Sequence, residues 1–171
     1  MTRVIRVVNS FSIPRYPKVT ITALLLSMVI INYPEPDFQI KKENDREVIF
    51  DTLRKKWVAL TPEEWVRQNF IRYLTGEKKY PSALIAVEKE IVLGELKKRF
   101  DILVYDNDHQ PWMMVECKAM EVALDEKVLE QLLRYHVSVP VQYLVIINGS
   151  YCYAWEKKEG RIEPIDMIPE F

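Results

Sequence analysis

Residues 99–119, RFDILVYDNDHQPWMMVECKA, decide how this chain folds. Two apolar runs, Phe100–Tyr105 and Trp112–Cys117, flank a polar turn that holds Asp106, Asn107 and Asp108, so the stretch reads as a β-hairpin. In an antiparallel pair the numbers of opposed residues have a constant sum. A turn centred between Asp108 and His109 sets that sum at 217, which pairs Asp101 with Glu116, Leu103 with Met114 and Tyr105 with Trp112. Alternation then places Asp101, Leu103, Tyr105, Trp112, Met114, Glu116 and Lys118 on one face. Phe100, Ile102, Val104, Met113, Val115 and Cys117 take the other. Both faces are largely apolar, which predicts a central strand pair covered on both sides. The turn contains no Gly, and a slip of one residue would exchange the faces.

Asp101, Glu116 and Lys118 interrupt these apolar runs, and charged groups inside strands need something to hold them there. Opposed Cβ atoms lie roughly 4.5–5.5 Å apart, near enough for two carboxylates to share one small cation. Mg²⁺ with a phosphodiester substrate suits that set. Taken as bare residues, a structural ion-pair cluster at a strand end carries the greater weight.

The wider pattern shifts that balance. Asp101 followed by Glu116-Cys117-Lys118 resembles the PD-(D/E)xK signature of the restriction-endonuclease-like superfamily, with Phe100 in place of the nominal Pro. Gln131-Leu132-Leu133-Arg134-Tyr135 is similar to the Q-x-x-x-Y motif of RecB-family nucleases, on the helix after the ExK strand. The segments RKKWVALTPEEWVRQ (54–68), KKRFDILVYD (97–106) and VECKA (115–119) resemble small bacterial proteins related to the N-terminal nuclease domain of type I restriction enzyme R subunits. The resemblance covers roughly residues 29–156.

That resemblance implies an α/β (α+β) fold with a central mixed sheet flanked by helices on both faces. It implies a Mg²⁺-dependent nuclease that hydrolyses phosphodiester bonds of DNA, with Mn²⁺ able to substitute. Asp101 and Glu116 would be metal ligands, joined by the backbone carbonyl of Cys117. Lys118 would orient or help deprotonate the attacking water and offset charge on the phosphate. Gln131 and Tyr135, neighbours on one helix face, would be auxiliary residues near the metal and the scissile backbone. Glu64 and Glu88 each stand where relatives bring an upstream acid to the metal, but Glu64 also fits a capping box and neither is assigned to the site. The alternative is the same fold kept as a nucleic-acid- or protein-binding module with catalysis weak or lost. An RNA-processing nuclease is a third reading.

Composition fits one globular domain. Of 171 residues 49% are apolar and 29% charged, and the net charge of −1 excludes an overall basic footprint. Arg54-Lys55-Lys56, Lys78-Lys79 and Lys97-Lys98-Arg99 are local basic clusters, read first as solvated surface, and only Lys97-Lys98-Arg99, leading into the Asp101 strand, rises above that reading. Two distant Cys make no disulfide scaffold and fit a reducing cytoplasm. His109 and His136 form no zinc pattern. Cys117 reads as a small buried apolar residue. A chain of this length has no room for a DNA motor, so a targeting partner or a homo-oligomer is expected.

Residues 1–27 are expected to be a leader or a non-native extension. They join basic residues to the start of an apolar run, Val19–Ile31, too short to span a bilayer. The nuclease-like domain is expected over 28–156 and a polar C-terminal tail over 157–171. Thr61-Pro62-Glu63-Glu64 predicts a helix start with a Thr cap, and Gly76 its end. Strands are expected at 45–50, 83–87, 91–93, 141–147 and 151–155, with Asn148-Gly149 as a turn. A second helix should carry Gln131 and Tyr135.

Overall fold

The computed structural model describes residues 27–93 and 96–171; the side chains of 91–93, 96–98, Tyr135, Val137 and Ser138 lie outside the description. The leader expected over 1–27 therefore lies, but for Ser27, outside the described residues.

Among the described residues two sheets and two α-helices form an α+β arrangement. Strands β1 (Ile40–Glu43), β2 (Arg46–Asp51) and β3 (Lys56–Ala59) form a small antiparallel meander. Helix α1 (Pro62–Arg72) follows. A six-stranded mixed sheet then runs in chain order: β4 (Ile85–Leu93), β5 (Leu96–Tyr105), β6 (Pro111–Cys117), β7 (Tyr143–Ile147), β8 (Cys152–Lys158) and β9 (Arg161–Ile165). Neighbours are antiparallel except β6 and β7, and parallel strands need a crossover, which is helix α2 (Glu126–Ser138).

Helix α1 starts as its sequence dictates. The Thr61 side chain accepts from the Glu64 amide (3.0 Å), and Pro62 occupies the first turn, where no amide is needed. The end differs from expectation. Gly76 does not stop the helix in a left-handed conformation; Tyr73–Glu77 continue as a wider π turn, closed by the Lys78 amide on the Tyr73 carbonyl (3.0 Å).

The central hairpin keeps the predicted register over Ile102↔Val115, Leu103↔Met114 and Val104↔Met113. It then shifts, so Tyr105 faces Pro111 and not Trp112. The cause is the turn. His109 takes φ 58°, the left-handed role usually left to Gly, and the Asp106 side chain accepts from the Asp108 and Gln110 amides (2.9 and 2.8 Å). Trp112 consequently leaves the face of Leu103 and packs against Tyr80 and Tyr143.

Alternate residues feed two cores. Ile102, Val104, Met113, Val115 and Cys117 join Val66, Phe70 and Ile71 of α1. Leu103 and Met114 join Val128, Leu129 and Leu132 of α2, with Trp155 fully buried among them. Phe100, expected with Ile102, packs in the α2 core. The ladder between β4 and β5 passes over Glu88 and Asp101, and Glu88 takes the left-handed φ of 49°, so strict alternation breaks there. The register is nevertheless the same on both sides of that interruption, Val87↔Ile102 and Lys89↔Phe100, so 85–93 runs as one strand and not two.

The small sheet is larger than the single strand expected at 45–50. The segment read as a polar tail is also structured: β9 pairs along β8, Ile168 is fully buried and Phe171 packs on Trp112 and Tyr80. At the other end Val29 is buried and its amide donates to the Cys152 carbonyl (2.8 Å). Cys117, Ile147 and Cys152 form a row across β6, β7 and β8, and both cysteines are free and buried.

Candidate active site

The strand ends of β5 and β6 bring the expected residues together. Glu116 is the penultimate residue of β6 and is buried. Its Oε1 accepts from Lys118 Nζ (2.7 Å) and from Gln131 Nε2 of α2 (2.8 Å). Lys118 leaves the strand with its amide on the Ile147 carbonyl (2.8 Å), which fixes where its side chain begins. Burial, then the charge of Asp101, raises the Glu116 pKa above the ordinary carboxylate value, although the Lys118 hydrogen bond pulls the other way. Burial lowers the Lys118 pKa, but the hydrogen bond and charge of Glu116 outweigh it, so the ammonium stays charged.

Asp101 approaches from the α1 side. Its Oδ2 accepts from the Cys117 amide (2.8 Å) and its Oδ1 from Arg67 Nη2 (2.9 Å). The two carboxylates thus meet across the rim of the sheet and do not share one face, as strict alternation would have it. Tyr135 belongs to α2, one turn beyond Gln131, but its side chain lies outside the described residues.

Behind Asp101 lies a buried polar network. Arg67 is only 3% exposed and also bonds Glu63 Oε1 (2.8 Å) and Glu64. Arg54 bonds Asp51, Glu64 and Glu88 (2.6 Å to Glu88 Oε2). Gln68 Nε2 donates to both Asp51 Oδ2 (2.8 Å) and Glu64 Oε1 (2.7 Å). The carboxylates of Asp51, Glu63, Glu64, Glu88, Asp101 and Glu116 face the cations of Arg54, Arg67 and Lys118. Negative charge is therefore in excess.

Several sequence expectations change here. Arg54 is not part of a solvated basic cluster. Glu64 does not reach back to cap Thr61, whose amide bonds the Ala59 carbonyl (3.1 Å). Its carboxylate turns inward to Arg54 and Arg67 instead. Asp51, Arg54, Arg67 and Gln68 were not foreseen. A signal exists for Arg67 and Gln68: Glu64, Arg67, Gln68 and Ile71 recur at i, i+3, i+4 and i+7, the spacing of a core-facing stripe, while Asp51 and Arg54 carry none.

The donor set fits a hard divalent cation. The acids at the rim offer carboxylate oxygens, and the Glu116 pKa is raised first by burial and then by the charge of Asp101, two costs of a buried anion that a bound cation would offset. Among the described residues no group of three or more His, Cys, Asp or Glu side chains forms a metal cage. Mg²⁺ needs none, because it is held by one or two carboxylates and completes its shell with water and phosphate. The residues are consistent with Mg²⁺ and unsuited to structural zinc.

Comparison with known families matches residues 62–169 to the type I restriction enzyme R protein N terminus (HSDR_N). No curated protein matches the chain. No helix among the described residues is long and apolar enough to cross a membrane.

Proposed function

The chain belongs to the type I restriction enzyme R protein N-terminus family, and from that premise we propose that it is a Mg²⁺-dependent nuclease hydrolysing phosphodiester bonds of DNA. The observation that carries the reading is the convergence on Glu116: Lys118 and Gln131 bond its carboxylate, and Asp101 lies near enough for its charge to shift Glu116.

Asp101, Glu116 and the Cys117 carbonyl would hold the ion. Mg²⁺, or Mn²⁺ in its place, supplies Lewis acidity and lowers the pKa of a bound water. Gln131 holds the Glu116 carboxylate against rotation. Lys118, charged and 2.7 Å from Glu116, sets a positive group beside the site where phosphate charge develops. Tyr135 is proposed as auxiliary from its place on α2. The excess of carboxylates repels bare DNA, so the cation is also what lets a phosphate approach. Targeting by a partner or a second copy, and action in the cytoplasm, belong to the same proposal.

One observation favours a second reading, a binding module without turnover: Arg67 already occupies one oxygen of Asp101. End-labelled duplex DNA, single-stranded DNA and RNA, each with Mg²⁺, Mn²⁺ or EDTA, separate the two. DNA cleavage that needs the metal and disappears in Lys118→Ala supports the nuclease. Full activity in Lys118→Ala refutes the assignment of that residue. Salt-dependent binding with no cleavage by the wild type supports the second reading.

A further inference from the structure

We propose that Arg67 is a positioning residue that aims Asp101 and sets the site's affinity for a divalent cation; this rests on the nuclease reading above. Both oxygens of Asp101 are engaged, Oδ1 by Arg67 Nη2 (2.9 Å) and Oδ2 by the Cys117 amide (2.8 Å). A carboxylate held at both oxygens has one orientation. The Cys117 amide is fixed by β6, so Arg67 is the partner that side-chain chemistry controls.

Arg67 is itself immobilised. Its side chain is 3% exposed, its Nη atoms bond Glu63 and Glu64, and Glu88 Oε1 stands 3.7 Å away. A guanidinium suits this task because its planar fork can hold several carboxylates at set angles, which an ammonium cannot. Arg67 Nε is buried with no hydrogen-bond partner, so the acids align the Nη edge at the expense of that atom. The order of contacts runs from the small sheet to the site: Arg54 to Glu64, Glu64 to Arg67, Arg67 to Asp101.

Two consequences follow from one charge. The fork fixes Asp101, which favours turnover. The positive charge sits beside the carboxylates that would receive the cation, which weakens binding. A residue serving stability alone would have neither effect.

The full-length chain is compared with Arg67→Lys and Arg67→Met. Mn²⁺ affinity is measured by calorimetric titration without DNA, kcat and KM on a labelled duplex, and the Cys117 amide by ¹H–¹⁵N NMR. Arg67→Met should bind Mn²⁺ roughly tenfold tighter, a change of about 1.4 kcal/mol. Its kcat should fall on the order of 10²-fold with KM little changed, the scale of a small misplacement at a reacting centre. Arg67→Lys restores the charge but not the fork. It should bind Mn²⁺ within about twofold of wild type. It should still lose on the order of tenfold in kcat and shift the Cys117 amide, since Asp101 turns. Should Arg67→Met fail to fold, Arg67→Lys decides the matter. Wild-type kcat and an unmoved Cys117 amide in Arg67→Lys would overturn the proposal. A wild type that neither binds Mn²⁺ nor cleaves overturns the nuclease reading first, and this proposal with it.

Discussion

Asp51→Ala offers the sharpest test of how this fold is held. Asp51 is fully buried at the end of β2. Its Oδ1 accepts from the Leu53 and Arg54 amides (2.8 and 2.7 Å), which close the β2–β3 turn where Lys55 takes φ 51°. Its Oδ2 accepts from Arg54 Nε and from Gln68 Nε2 (2.8 Å). Burial alone would raise its pKa, but the Arg54 backbone and side-chain hydrogen bonds and the Arg54 charge bring it below the usual 3.8. Removing one partner of a buried ion pair costs about 3–5 kcal/mol. Against a total of roughly 5–15 kcal/mol that is a large share. At about 3 °C per kcal/mol for a domain of this size, the melting temperature should fall by about 12 °C. Asp51→Asn keeps one oxygen for the turn amides but points its own N–H groups at Arg54 and Gln68, so it should recover only about 1 kcal/mol of the loss. The folded pKa is depressed, so the Asp51 contribution is present above pH 3.8 and fades as pH falls through the folded value. Urea unfolding followed by circular dichroism at pH 7 measures the difference, with an unchanged m-value confirming that native and unfolded compactness are the same. A loss under about 1 kcal/mol for Asp51→Ala would show that this network carries little stability, and the reasoning fails.

Three further outcomes are expected. His136 is buried, and burial followed by the Lys157 charge lowers its pKa from 6.5 to about 4, so the unfolded chain binds the extra proton between those values. Stability should therefore fall as pH drops through that window, by about 2 kcal/mol at pH 5, and thermal melts of His136→Gln should lack that component. Saturating Mn²⁺ at roughly tenfold above its Kd should raise the wild-type melting temperature by about 4 °C, and an equal rise in Glu116→Gln would remove Glu116 from the metal site. Gly149 sits at φ +89° with Met120 Cγ and Val66 Cγ2 both 3.3 Å from where a Cβ would stand. Gly149→Ala should cost about 2 kcal/mol in a chemical denaturation series, and a neutral result would mean the turn relaxes freely.

What could be read from the residues depended on whether they followed an apolar rhythm. The β5–β6 register was legible because Ile102, Val104, Met113 and Val115 alternate with Leu103 and Met114, and Thr61-Pro62 announced α1 by elementary capping chemistry. Glu116 and Lys118 were legible as neighbours for the same reason, whereas Gln131 was placed beside them only by its resemblance to the Q-x-x-x-Y motif. The shift at Tyr105 was hidden because a His performs the left-handed role in the turn. Strand β9 was hidden because RIEPI is polar and contains Pro164, which an edge strand tolerates. The strands KWVA and IKKE were equally muted. Arg67 and its partners escaped because charged side chains suggest solvent; only their helical spacing placed them inward.

The row Cys117–Ile147–Cys152 gives the molecule a built-in reporter. Residues two strands apart are separated by about 9.6 Å, beyond the reach of a disulfide, so oxidation cannot lock the sheet. Burial pushes both thiols up in pKa and leaves them unreactive while the sheet is closed. The rate at which a thiol reagent labels Cys117 would then time the opening of the strand that carries Glu116, without any substrate.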